Sequence, residues 1–138
     1  ASLAGELPVP GLATYCGTKF AVIGFTEAAR QEYRRSGVNL STVRPTFTNT
    51  ELVSGTSGAK GMRNAEPQEI ARATAALIER PQPFVRVTRV AGTMVAAMKF
   101  VPGRVATQLG SMVGTDTVFL DRVDHEARRA YLERIERS

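Results

Sequence analysis

The sequence predicts an α/β fold built on parallel strands, and three observations carry that prediction. Apolar residues recur at Phe20, Ile23, Phe25, Ala28 and Ala29, with Glu27, Arg30, Glu32 and Arg34 on other faces, which is the period of a helix. Gly37 closes that stretch, and a β-rich run from Val38 to Val43 follows at once. Further on, a helical stretch from Pro67 is again followed by a short apolar run from Phe84. A loop, a helix, a glycine and a strand in that order form the second half of a crossover unit in a parallel sheet.

Taken in order, Ala1 to Gly5 is small and apolar, and Pro8, Pro10 and Gly11 enforce an irregular loop. The first helix is predicted from Ala13 to Arg35, with Phe20, Ile23 and Ala28 buried on its packed face. The first strand, Val38 to Val43, ends at Arg44–Pro45. Val53 to Asn64 is rich in Gly, Ser and Lys without periodicity and reads as a flexible loop past a strand end, where α/β folds place ligand-covering lids. Gly55, Gly58 and Gly61 in it read as hinge residues. Glu66, Pro67 and Glu69 mark a helix start, because an early proline and early acids suit the first turn. That helix runs through Ile70, Ala73, Leu77 and Ile78 and stops near Pro81, and a second strand is predicted from Phe84 to Val90.

Gly92 to Val113 reads as a pair of short helices broken at Pro102–Gly103, covering the substrate side or making a dimer contact. Lys99, Arg104 and that break leave no uninterrupted apolar span of transmembrane length. A segment lying on a membrane surface is the alternative for this stretch. Asp121 to Arg137 reads as a charged helix with Val123, Ala127, Tyr131 and Ile135 near one face.

Composition narrows the function classes. The 138 residues are 43% hydrophobic, enough for a packed core. The net charge of +5 is spread along the chain without a cluster of cations and stacking aromatics, which argues against a nucleic-acid surface. Cys16 is the only cysteine, so no internal disulfide forms, and it reads as a packing residue. His125 is the only histidine, so no metal site built from His and Cys is expected. No basic stretch followed by an apolar run marks a signal peptide at Ala1, and a cytoplasmic location is the expectation.

The chemistry is carried by Thr14–Tyr15–Cys16–Gly17–Thr18–Lys19. Residues four apart lie one above the other on a helix face, so Tyr15 and Lys19 share a pocket. A neighbouring ammonium favours the phenolate, which suits a phenol to proton exchange. Ser2 lies thirteen positions before Tyr15, and the segment Pro45 to Thr50 begins thirty positions after it.

That set, in that order, resembles the catalytic half of the short-chain dehydrogenase/reductase family, with Ser-x-Ala-Gly at Ser2 to Gly5. The resemblance covers Ala1 to about Val90 and fades over Gly92 to Val113. It implies the C-terminal part of a doubly wound, Rossmann-like parallel sheet with flanking helices. Residues 1–90 would be half of an NAD(P)-binding domain and residues 91–138 a variable helical segment. It also implies hydride transfer between NAD or NADP and the alcohol/ketone couple of a small substrate, and the apolar stretch Met94 to Val101 with the loop Val53 to Asn64 points to a lipophilic one. Tyr15 would give or take the hydroxyl proton, and Ser2 would orient the same oxygen. Lys19 would hold the nicotinamide ribose, and Pro45, Thr48 and Thr50 would lie along the nicotinamide end. Thr46 stands where the family usually has glycine. A β-branched residue does not readily take φ > 0, so the local turn is expected to differ and Thr50 to be the stronger contact.

The family's Gly-rich strand-turn-helix, its residue that selects NAD or NADP and the asparagine of its proton relay have no match here. The expectation is therefore an N-terminally truncated enzyme, inactive alone and homo-oligomeric when complete. Two other readings remain open: a non-catalytic half-domain that pairs with a complete subunit, and a peripheral membrane-binding module.

Overall fold

Proline and glycine decide where the regular elements begin and end. The structure, a computed structural model, describes residues 1–50 and 63–113 together with the isolated helical positions 129 and 133. The expected loop Val53–Asn64 lies outside the described residues except at Arg63 and Asn64, and the expected helix Asp121–Arg137 except at Arg129 and Glu133. A single 3-10 turn, Leu3–Gly5, opens the chain, and helix α1 follows over Ala13–Glu32. Strand β1 (Thr42–Pro45), helix α2 (Pro67–Glu79) and strand β2 (Phe84–Val87) come next, then helices α3 (Arg89–Met98) and α4 (Gly103–Val113).

The two strands pair in parallel, Thr42 opposite Phe84, Val43 opposite Val85, Arg44 opposite Arg86 and Pro45 opposite Val87. The chain is thus α/β with a parallel ladder whose strands are joined through α2, as the sequence predicts.

Several boundaries differ from the sequence reading, each for a physical reason. The first helix ends at Glu32 rather than Arg35: the Tyr33 amide turns back to Ala29, and Gly37, at φ 79°, closes a short turn after the helix instead of capping it directly. The first strand is shifted from Val38–Val43 to Thr42–Pro45. Its partner strand is preceded by Pro81 and Pro83, which have no N–H to donate, so Val38 to Leu40 find no ladder there. Only Ser41 and Thr42 reach back, to the carbonyls of Gln82 (2.6 Å) and Pro83 (3.1 Å). The second strand stops at Val87, not Val90, because Thr88 takes φ 62° and sends the chain into α3.

Helix α2 begins where its acids predict. The Glu66 side chain accepts from the Glu69 amide, and the Glu69 carboxylate accepts from the Glu66 amide at 2.9 Å, a reciprocal cap that satisfies two orphan donors. Arg63 grips the same Glu69 carboxylate at 2.7 and 3.1 Å. Just ahead, Ala65 is fully buried and bridges to Thr48, its amide donating to the Phe47 carbonyl and its carbonyl accepting from the Asn49 amide. The segment leaving β1 is thereby held beside the segment entering α2.

The sequence reading expects Phe20, Ile23 and Ala28 to be buried, and the structure corrects this. Phe20 is 43% exposed, Ala28 is exposed and only Ile23 is half-buried, while Cys16 and Ala29 are the buried residues of α1. The apolar residues of α1 are spread around its circumference, and the described elements cover only the side facing the 3-10 turn. The small core is instead Leu3, Ala91 and Val95, with Leu7 packed against it, where α3 meets the 3-10 turn.

Two glycines allow this packing. A Cβ at Gly5 would sit 2.7 Å from both Ile23 Cδ1 and the Lys19 carbonyl oxygen, and one at Gly92 would sit 2.7 Å from Arg86 Cβ. Neither backbone nor Cβ yields easily, so the 3-10 turn lies against α1 only because residue 5 is glycine. Gly5→Ala is therefore expected to destabilise the protein by about 1–3 kcal/mol through overpacking, as read by chemical denaturation. An unchanged midpoint would show that the turn and α1 are not in close contact.

Candidate active site

Tyr15 and Lys19 lie one turn apart near the start of α1, on one face. The Lys19 ammonium stands 5.1 Å from the centroid of the Tyr15 ring, inside the range of a cation–π contact. Tyr15 is 43% exposed, and among the described residues neither its hydroxyl nor the Lys19 ammonium has a hydrogen-bond or ion-pair partner. Both polar groups are free to meet a ligand. An open concavity of about 410 Å³ lies beside them, lined by Gly11, Leu12, Ala13, Thr14 and Tyr15. The loop forming its rim is pinned to the helix by Cys16, whose buried sulfur accepts from the Val9 amide at 3.4 Å, so Cys16 acts in packing.

Ser2 caps the 3-10 turn. Its hydroxyl accepts from the Ala4 amide at 3.2 Å and donates to the Pro45 carbonyl at 3.5 Å. The structure thus brings Ser2 beside the end of β1, and no hydrogen bond joins it to Tyr15. The Thr48 hydroxyl donates to the Thr46 carbonyl at 3.3 Å, while Thr50 is exposed. Thr46 is not among the residues with positive φ, and its amide donates to the Val87 carbonyl at 3.4 Å. Two clusters result: Tyr15 with Lys19, and Ser2 with Pro45.

What links those clusters escaped the sequence reading. Glu6, one residue past the 3-10 turn, has a side chain only 1% exposed and sits among three cations. Its Oε1 accepts from Arg44 (3.0 Å) and Arg86 (2.9 Å), and its Oε2 from Arg86 (2.7 Å) and Lys99 (2.7 Å). Arg44 also reaches Glu27 of α1 at 3.0 Å and Thr42 at 2.9 Å, and Glu27 in turn pairs with Arg30. Both guanidinium groups lie against the Phe84 ring, at 4.2 and 4.6 Å from its centroid. A signal for this was present: Arg44 interrupts a run that otherwise reads as a buried strand, and a charge buried in a strand requires a counter-charge. Nothing local in the sequence says which acid supplies it.

Burial pushes the Glu6 carboxyl up, but hydrogen bonds from Arg86, Lys99 and Arg44 outweigh it and hold the group down at about 2, from an ordinary 4.5. The pair Tyr15 and Lys19 suits a sugar hydroxyl, since it offers a phenol and a free ammonium. Among the described residues no group of His, Cys, Asp and Glu could hold a metal ion.

Residues 1–60 match the family model described as short chain dehydrogenase. That stretch, which holds Ser2, Tyr15 and Lys19, is similar to the short-chain dehydrogenase/reductase family. Among its relatives, an uncharacterized oxidoreductase of Staphylococcus saprophyticus is 41% identical over 93 residues, 59% of this chain and 37% of that protein. Estradiol 17-beta-dehydrogenase 11 of Mus musculus is 40% identical over 73 residues, 51% of this chain and 24% of that protein. Cyclohexanol dehydrogenase of an Acinetobacter strain is 30% identical over 91 residues, 62% of this chain and 36% of that protein. The match thus spans between 24% and 37% of the length of these curated relatives.

The Glu6 network makes a prediction about the stability of this protein. A carboxyl whose folded-state pKa is depressed contributes stability that is complete above its unfolded value and lost as pH falls toward the folded value. Between pH 4.5 and about 2, Glu6 should therefore forfeit roughly 3 kcal/mol. At neutral pH, Glu6→Gln should cost about 3 kcal/mol, because three cations then face one another without their counter-charge. It should also flatten the acid limb of a urea-denaturation series. An acid limb unchanged by Glu6→Gln would assign the transition to other carboxylates.

Proposed function

We propose that the protein is an NAD(P)-dependent oxidoreductase that interconverts an alcohol and a ketone on a lipophilic substrate. The observation that carries this reading is the stacked Tyr15–Lys19 pair at the head of α1, with both polar groups unengaged among the described residues. Residues 1–90 act in it as the C-terminal half of a dinucleotide-binding domain, with 91–138 as a variable helical segment. When bound, the dinucleotide supplies the hydride acceptor or donor. The Tyr15 hydroxyl takes or gives the alcohol proton, and Lys19, one turn further on, holds the ribose hydroxyls next to it. The Ser2 hydroxyl, whose single O–H turns from the Pro45 carbonyl toward the substrate, donates to the substrate oxygen. Thr50 and the backbone around Thr48 hold the nicotinamide amide.

The lipophilic substrate class is supported by the names of two relatives, dehydrogenases of estradiol and of cyclohexanol, both alcohols on apolar ring systems. A homo-oligomer is part of the same reading. Phe20, Val22 and Phe25 are 43%, 43% and 76% exposed on α1, and a second copy would cover them.

Two experiments test these statements. In the full-length enzyme that would carry this chain, assayed with NADH or NADPH against a panel of cyclic ketones, Tyr15→Phe is expected to lower kcat by at least a thousandfold while leaving cofactor affinity within about twofold. Lys19→Ala should reduce both. Retained turnover in Tyr15→Phe would remove the phenol from the chemistry. For assembly, Phe25→Glu is expected to shift the protein toward the monomer in light scattering over a concentration series. An unaffected oligomer would exclude that face of α1.

A further inference from the structure

Helices α3 and α4 each present an apolar stripe that the described fold leaves uncovered. On α3, Val90 (79% exposed), Met94 (40%) and Ala97 follow one another at helical spacing, while the opposite side, through Ala91 and Val95, is buried against Leu3. On α4 the stripe is Val105 (44%), Leu109 (43%) and Met112 (83%), again spaced by four and three. Phe100, at the joint between the two helices, is 91% exposed. These side chains are too large and too numerous to be scattered surface residues.

The charges around them distinguish among the occupants that could cover such a face. Residues 89–113 contain Arg89, Lys99 and Arg104 and no aspartate or glutamate. Lys99 is committed to Glu6, whereas Arg89 and Arg104 have no ion-pair partner among the described residues. The rest of the polar surface is small and uncharged: Thr93, Gly103, Thr107, Gln108 and Ser111. A second copy would bring Arg89 and Arg104 against like charges with no acid in the segment to offset them. Helix α1 differs in this respect, since its exposed aromatics share the helix with Glu27 and Glu32 as well as Lys19 and Arg30. No helix among the described residues is long and apolar enough to cross a membrane. An apolar face with cations at its edge, in a helix too short to span, suits the interface of an anionic bilayer.

We infer that α3 and α4 form a membrane-surface docking face. Phe100 and the stripe Val105–Leu109–Met112 enter the acyl boundary, and Arg89 and Arg104 lie against anionic headgroups. The inference is independent of the proposed reaction, because none of these residues belongs to the Tyr15 site.

Co-sedimentation of the purified protein with phosphatidylcholine vesicles, with and without 30% phosphatidylserine (about that fraction suffices for a negative surface potential), tests it. Binding is expected on the anionic vesicles and to weaken when salt is raised from low to high. Each of Arg89→Gln and Arg104→Gln should weaken it roughly fivefold. Phe100→Ser should weaken it about tenfold on either vesicle, with an unchanged circular-dichroism melt because the side chain is already in water. Absence of binding to the anionic vesicles would overturn the inference, as would binding indifferent to Phe100→Ser. A soluble dimer that Met112→Ser dissociates would overturn it too, by assigning the face to a second copy.

Discussion

A single buried carboxylate makes the geometry of this fold possible. Arg44 and Arg86 are register partners on adjacent parallel strands, so their side chains leave the same face of the ladder directly opposite each other. Like charges in that position repel and would push the strands apart. Glu6 Oε1 accepts from both guanidinium groups, at 3.0 and 2.9 Å, and converts the repulsion into a bridge. The arrangement is expensive in desolvation, since an ion pair of this kind seldom outperforms well-packed apolar residues. What it provides is position. An apolar contact tolerates sliding, whereas a carboxylate with four charge-assisted hydrogen bonds fixes its neighbours in both distance and direction.

The elements near Tyr15 and Ser2 are reached from Glu6 along the chain or through Arg44. Along the chain, Glu6 follows the 3-10 turn that Ser2 caps. Through Arg44 it fixes the residue before Pro45, whose carbonyl receives the Ser2 hydroxyl. Arg44 then passes the constraint to α1 through Glu27, two turns beyond Lys19, while Gly5 lets the turn rest on the Lys19 backbone itself. Arg86 brings in β2, and Lys99 the end of α3. The two clusters of polar side chains are therefore held relative to each other without a direct hydrogen bond between them. A site assembled this way depends on long-range charge pairing more than on the propensity of any one segment.

This explains which features were legible in the sequence. Local signals sufficed for α2, whose Glu66, Pro67 and Glu69 announce the helix start that the reciprocal cap then builds, and for the four-residue step that stacks Lys19 over Tyr15. The break at Pro102–Gly103 likewise separates α3 from α4. Signals that needed a partner's position failed. Val38 to Leu40 have the composition of a strand, yet Pro81 and Pro83 on the neighbouring chain segment have no donors to offer them. Thr88 carries no mark of its positive φ, which cuts the second strand short. The burial expected at Phe20 and Ala28 assumed a covering layer that the described residues do not supply. Glu6 was invisible for the same reason: its partners lie 38, 80 and 93 positions away.

Among the described residues, the exposed apolar surface of α1 differs from that of α3 and α4 in the charges around it. On α1 the aromatics share the helix with acids and bases of both signs, a mixture that a second, symmetry-related copy can pair with itself. On α3 and α4 the surrounding charge is of one sign, which a symmetric contact would only concentrate and which an anionic surface would neutralise. The Lys99–Glu6 pair sits where these two regimes meet, since it ties the cationic helix pair to the bridge that organises the Ser2 turn. Lys99 spends its charge inward, toward the fold. Arg89 and Arg104 remain the cations of that segment whose fields extend into solvent, so the salt dependence of any surface attachment is set by those two arginines, and the depth of attachment by Phe100 and the α4 stripe.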